Sequence, residues 1–149
     1  MPVNKNSKSP IAFLNGRFIK LKDARISILD RGFMLGDGLF ETIRTYNGKI
    51  FRVDLHLNRL EKGAKALFIE LPYPRQKLKK IIRSLVEKNS ALNSYIRITL
   101  TRGEAPLYSD LSASTAPNLT IHARPYPKLP DSYYRKGVAI SIFPDSAQS

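Results

Sequence analysis

The sequence has no cysteine, no tryptophan, only two histidines, and about half as many acidic as basic residues, 12 against 25. Without cysteine there are no disulfides and no thiolate zinc sites, and His56 and His122 lack ligand-like spacing, so no metal site is expected. Long apolar runs are also missing. No stretch approaches the roughly 20 apolar residues of a membrane helix, and the opening "MPVNKNSKSP" is polar and basic with no apolar segment behind it. The reading is a soluble cytoplasmic chain, not membrane-bound, with a flexible tail over residues 1–10.

The shortage of acids leaves a net charge of +13, which could serve nucleic acid by displacing counterions from phosphates. The distribution speaks against it. Lys5, Lys8, Arg17, Lys20, Lys22 and Arg25 are scattered, and Lys77, Lys79, Lys80 and Arg83 fall on the wet side of a helix. No basic stripe is interleaved with exposed aromatics, so a solvated basic surface is expected and a nucleic-acid partner is not.

What is present suits one ordinary domain: 149 residues, 42% of them hydrophobic. "IAFLNGRFIKL" sets two short apolar runs around Asn15-Gly16, a strong hairpin signal, and "FETIRTYNGKIFRV" repeats the device around Asn47-Gly48 with a return strand over Ile50 to Val53. Asp54 can cap a helix over about 54–69 with Leu57, Leu60, Ala64 and Leu67 as its stripe. A second helix, about 75–89, starts near Pro74 and buries Leu78, Ile81, Ile82 and Leu85. "YIRITLTRG" alternates, so that Ile96, Ile98 and Leu100 share one face and Tyr95, Arg97, Thr99 and Thr101 the other. If the isoleucine face packs on the helices, the second face looks into something polar. "EAPLYSDLSASTAP" reads as a long loop, "NLTIHA" as a strand, and the proline-rich "RPYPKLPDSYY" as a linker. The last apolar run, "GVAISIF", reads as one more strand that cannot bury its own faces. The expected architecture is α+β, a mainly antiparallel sheet packed with two helices. Its domains are 11–123, a linker over 124–132, and the start of a second domain over 133–149.

Four features could carry chemistry. Gly36 and Gly38 around Asp37 allow a sharp turn and a close backbone approach, which also suits a plain tight connection. Arg59, three residues after His56, offers a planar fork suited to phosphate, and equally to solvent. Arg97, between apolar neighbours, must find an anion or reach water; a substrate carboxylate and a cross-strand pair with Glu41 are both open. Arg102 and Gly103 read most simply as the end of a strand.

The order of these pieces, from "LNGRFIKLKDARISILDRGFMLGDGLFETIRTYNGKIFRVDLHLNRL" to "YIRITLTRG", resembles the amino-terminal half of the fold-type IV (class IV) pyridoxal-phosphate aminotransferases. That family includes branched-chain aminotransferases, D-amino-acid transaminases and 4-amino-4-deoxychorismate lyase. The resemblance implies a small α+β domain, a larger carboxy-terminal domain, pyridoxal 5′-phosphate held between them, and a homodimer. It makes Arg59 the cofactor-phosphate ligand and places Phe33, Leu35, Phe40 and Arg97 in the substrate pocket, with the "GDG" backbone near active site and subunit interface. It implies no catalytic residue within this chain, the Schiff-base lysine being expected after Ser149, so that these residues alone are expected to be inactive. The loop "APLYSD" lacks the Arg and His of the D-amino-acid transaminases, which disfavours D-amino acids. The expected reaction is amino-group transfer between a branched-chain or similar L-amino acid and a 2-oxo acid. The alternatives are the lyase, which eliminates pyruvate, and a non-catalytic binding or interaction module.

Overall fold

In a computed structural model, which describes residues 9–105, 116–127 and 129–142, the chain forms one six-stranded sheet backed by helices. The first two strands, β1 (Ile11–Leu14) and β2 (Arg17–Lys20), are the expected hairpin. Asn15 and Gly16 both have positive φ, 44° and 99°, the turn whose twist matches that of the strands it joins. The short helix α1 (Arg31–Leu35) precedes the long strand β3 (Gly38–Tyr46). Asn47 and Gly48, again at positive φ, turn β3 into β4, which is only Lys49–Ile50.

The return strand was expected to reach Val53, and Asp54 to cap the helix. Instead Arg52 takes the left-handed conformation (φ 46°, ψ 40°) and α2 (Val53–Ala66) begins at once. Asp54 therefore sits inside the first turn, where its carboxylate accepts from Lys79 Nζ at 2.8 Å. Leu57, Leu60 and Ala64 form the buried stripe of α2. Leu67 does not join it: the helix has ended, Leu67 is exposed, and Ile69 enters the core in its place. The next helix, α3 (Arg75–Lys88), follows Pro74 and buries Leu78, Ile81, Ile82 and Leu85 as its spacing predicts, with Val86 added. At its end Asn89 locks the helix to the first strand, its Oδ1 accepting from Ile11 N (2.7 Å) and its Nδ2 donating to Ile11 O (2.9 Å).

The central strands β5 (Ser94–Thr101) and β6 (Asn118–Pro125) complete a wholly antiparallel sheet in the order β2-β1-β6-β5-β3-β4. Ile43, Ile96, Ile98, Leu100, Leu119 and Ile121 lie on one face of it and make a single core with the stripes of α2 and α3. Period-2 alternation then sends Phe40, Thr42, Arg44, Tyr95, Arg97, Thr99, Thr120 and His122 to the opposite face. Among the described residues no helix is long and apolar enough to cross a membrane.

Beyond β6 a fourth helix, α4 (Asp131–Lys136), begins inside the stretch expected to be linker. The strand expected over "GVAISIF" is not formed at 137–142; Val138, Ile140 and Ile142 are exposed there, with no strand among the described residues pairing their backbone. Most of the expected tail (1–8), the core of the long loop (106–115) and the last seven residues (143–149) lie outside the described residues.

Candidate active site

The "GDG" turn is a corner built around two acids, Asp30 buried and Asp37 partly buried. Asp30 caps α1 by accepting from Phe33 N (3.2 Å), and its other oxygen accepts from Thr101 Oγ1 (2.7 Å) and Asn118 Nδ2 (2.6 Å), tying the turn to β5 and β6. Gly36 ends α1 in the left-handed region, at φ 69°. Asp37 then accepts from Arg31 Nε (2.8 Å) and from Arg102 Nε (2.8 Å) and Nη2 (3.1 Å). The bond from Arg102 is the main reason the Asp37 carboxyl lies below its ordinary range, against the opposing effect of burial and with Arg31 assisting. Arg102 also donates to Leu67 O (2.8 Å) and Phe68 O (3.1 Å), so it closes the end of α2. Reading Arg102 as a plain strand exit missed this; a buried arginine needs partners for its guanidinium, and here Asp37 and two backbone carbonyls distant in sequence supply them. Gly38 has no room for a side chain, since a Cβ there would lie 2.6 Å from Leu100 O. The glycines and acid that interrupt an apolar stretch thus weld α1, β3, β5 and the end of α2 into one rigid corner.

Three residues along β3, at Glu41, the pattern inverts. Glu41 faces the helices between buried neighbours, and an ionised acid there requires cations. It has two. Arg59 donates Nε to Oε1 (2.5 Å) and Nη2 to Oε2 (2.7 Å), and His56 Nδ1 donates to Oε2 at 2.8 Å. Burial works to raise the Glu41 carboxyl, but the bonds from Arg59 and then His56 outweigh it and hold the group below its ordinary range. Arg59 itself is 74% exposed while Glu41 is 2% exposed, so the acid is hidden and the cation is presented. Arg59 Nη1 has no hydrogen-bond partner among the described residues. This trio was only half legible: an acid sharing a buried face with Ile43 and Thr45 signals a hidden cation, but not which one.

Arg97 does not take Glu41. The two residues point to opposite faces of the sheet, and Arg97 lies 3.3 Å from the centroid of the Phe40 ring, its Nη1 3.3 Å from Thr42 Oγ1. A guanidinium stacked on an aromatic face keeps N–H donors in its plane, which suits a carboxylate. His122, across from Arg97, is shifted toward its neutral form, first by burial and then by the charges of Arg124 and Arg97. Phe33, Leu35 and Phe40 are 70%, 55% and 56% exposed, but only Phe40 adjoins Arg97; Phe33 and Leu35 stand on α1. Phe40 and Glu41, adjacent in sequence, join the stacked Arg97 and the pinned Arg59 across the thickness of one strand. A cavity of about 700 Å³ lies elsewhere, at the end of the sheet where β5 begins. Among the described residues no group of three or more His, Cys, Asp or Glu could hold a metal ion.

The antiparallel sheet backed by two helices is shared with solved fold-type IV aminotransferases and matches their amino-terminal domain. Residues 38–149 match the family model for amino-transferase class IV, and the chain belongs to that family. It is 33% identical over 130 residues to a Methanocaldococcus jannaschii protein provisionally named a branched-chain-amino-acid aminotransferase, covering 87% of this chain and 45% of that one. It is 34% identical over 125 residues to the D-alanine aminotransferase of Bacillus licheniformis, covering 84% and 44%. Among solved structures, the branched-chain amino acid aminotransferase of Thermoproteus uzoniensis with norvaline superposes with a TM-score of 0.73 at 27% identity, over 81% of this chain and 42% of that one. The 4-amino-4-deoxychorismate lyase of Pseudomonas aeruginosa does so with a TM-score of 0.65 at 29% identity, over 85% and 44%. The chain therefore spans less than half the length of these relatives. The "PLYSD" part of the loop on which the reading against D-amino acids rests lies outside the described residues.

Proposed function

We propose that these residues form the cofactor-phosphate and substrate-facing part of a pyridoxal 5′-phosphate enzyme of class IV. The reaction proposed is amino-group transfer between an L-amino acid, branched-chain or similar, and a 2-oxo acid. The observation that carries the reading is Arg59: an exposed guanidinium whose plane is fixed by a buried carboxylate and whose third nitrogen remains open. That donor set fits a phosphate ester, which needs charge-assisted N–H bonds more than it needs volume. A similar branched-chain aminotransferase structure holds pyridoxamine 5′-phosphate, which carries the same phosphate ester. When bound, the cofactor supplies an electron sink for the bonds at the substrate α-carbon. This chain's residues bind and orient. Arg59 holds the phosphate, Arg97 receives a substrate carboxylate with its edge, and Phe40 backs that guanidinium and excludes water from one side. The Schiff-base lysine, the second domain with residues 133–149 at its start, and a homodimer enclosing the site belong to the same proposal, as does a cytoplasmic location. Catalysis is assigned to no residue of this chain.

The test is titration of the 149-residue chain with pyridoxal 5′-phosphate and with pyridoxine 5′-phosphate, the latter having no aldehyde to label surface lysines. Arg59→Ala should weaken the phosphate-dependent component about tenfold to a hundredfold, the range for hydrogen bonds to charged groups. Equal affinity in the variant refutes the role. The lyase is the second reading, favoured by the likeness to the Pseudomonas aeruginosa enzyme. Pyruvate release from 4-amino-4-deoxychorismate by the protein that contains this chain, without a 2-oxo acid acceptor, would select it.

A further inference from the structure

The proposed phosphate role of Arg59 meets an oddity: two of its three guanidinium nitrogens are already occupied by Glu41. A carboxylate placed there has two opposite effects on an incoming anion. Its charge repels the anion and cancels that of Arg59, while its hydrogen bonds fix a long, otherwise mobile side chain that is 74% exposed. The observed geometry favours the second effect. Glu41 is buried, so it cannot itself contact a ligand in the open, and it engages Arg59 fork to fork, which sets the guanidinium plane as well as its position. The same carboxylate takes His56 Nδ1, so two side chains one turn apart on α2 are oriented by a single group on β3. Organised donors bind more tightly than mobile ones because the ordering is complete before the ligand arrives.

We propose that Glu41 is a positioning residue for phosphomonoester binding, its buried carboxylate aiming the open edge of the Arg59 guanidinium at the ligand. The proposal rests on the reading of Arg59 as phosphate ligand. The Glu41 carboxyl is also held below its ordinary range, so the clamp stays ionised at neutral pH.

Two substitutions separate aim from charge. Glu41→Gln keeps the shape and removes the charge and one of the two acceptors; Glu41→Asp keeps the charge and withdraws it by one methylene. The probes are pyridoxine 5′-phosphate and inorganic phosphate, titrated into the 149-residue chain and followed by the backbone amide shifts of α2, with urea unfolding of each variant alongside. Positioning predicts that both variants bind about tenfold more weakly while still folded. If charge governs, Glu41→Gln binds more tightly and Glu41→Asp is unchanged, which overturns the proposal. If Glu41 serves stability alone, both variants unfold at lower urea yet keep wild-type affinity when folded, which overturns it too. Weakening by Arg59→Ala with none by the Glu41 variants sinks the positioning role and leaves the phosphate role standing. No weakening by Arg59→Ala, or no binding by the wild type, sinks both. A measurement on the wild type covers the case in which neither Glu41 variant folds. The Arg59 Nε–H resonance should stay sharp and slow to exchange at phosphate saturation; its loss to solvent exchange would mean that Glu41 lets go when the anion binds, and would overturn the proposal.

Discussion

The chain contains two arginine–carboxylate clusters a few residues apart that use the same chemistry in opposite senses. At the corner, Arg102 is 9% exposed and spends its donors on Asp37 and on the carbonyls of Leu67 and Phe68. Beside β3, the acid is the hidden member and Arg59 the exposed one, with a nitrogen to spare. A cation each of whose guanidinium nitrogens is engaged internally is part of the scaffold. A cation fixed by a hidden acid and left open on one edge is equipped to bind. The difference is thus one of which partner burial removes from water.

The contrast breaks first at Arg102. Arg102→Ala leaves Asp37 short of its main partner and two carbonyls unsatisfied in a tight corner. Loss of one member of a largely buried pair costs about 3–5 kcal/mol, so the urea midpoint should fall further than for Gly38→Ala. Phosphate affinity of the folded fraction should be unchanged. Gly38→Ala tests the same corner by steric means: with a Cβ 2.6 Å from Leu100 O, the β3–β5 pairing must shift. Overpacking of this kind costs about 1–3 kcal/mol. Wild-type unfolding in that variant would mean that the corner is more compliant than its contacts imply. Arg59→Ala completes the series from the other side: it lowers phosphate affinity and, because the buried Glu41 carboxylate is left with His56 alone, it also lowers the urea midpoint, so affinity is read on the folded fraction.

Residues whose structure depends on near neighbours in sequence were legible. The two Asn-Gly turns, the stripes of α2 and α3, and the alternation of β5 each follow from a local rule, and together with the family resemblance they specify the fold. What escaped depends on distant partners. α1 is a five-residue helix with no apolar stripe, held by Asp30 through Thr101 and Asn118. Arg52 at positive φ is not a position that its residue type announces, and with it went the expected cap at Asp54. The candidate site was legible in its members and not in their pairing. Arg59 and Arg97 were both singled out, and Glu41 was offered to Arg97. Strand alternation decides the matter once the buried face is known: Glu41 shares that face with Ile43 and α2, so its partner had to come from the helix.

A basic group with no carboxylate beside it sharpens the comparison and gives the smallest expected effect. His122 lies on the open face of the sheet, where its charged neighbours are Arg97 and Arg124, and burial first, then those charges, lower its pKa from the ordinary 6.5. A folded-state pKa below the unfolded one means that the unfolded chain takes up the proton first. The stability that neutral His122 contributes is therefore fully present above about pH 6.5 and is lost as the pH falls through that value toward the folded pKa. Asp37 and Glu41 act lower down. Their folded pKa values lie below 3.8 and 4.5, so the stability they contribute is present above those values and disappears only as the pH falls beneath them. Urea midpoints measured from pH 7.5 to pH 3 should accordingly decline in two stages, a shallow one beginning near pH 6.5 and a steep one below about pH 4.5. His122→Gln should abolish the shallow stage and leave the steep one in place, because Gln carries no titrating proton and touches neither carboxylate. If the shallow stage survives in His122→Gln, the open face is not where the proton binds, and the division between a face that titrates near neutrality and clamps that titrate in acid fails.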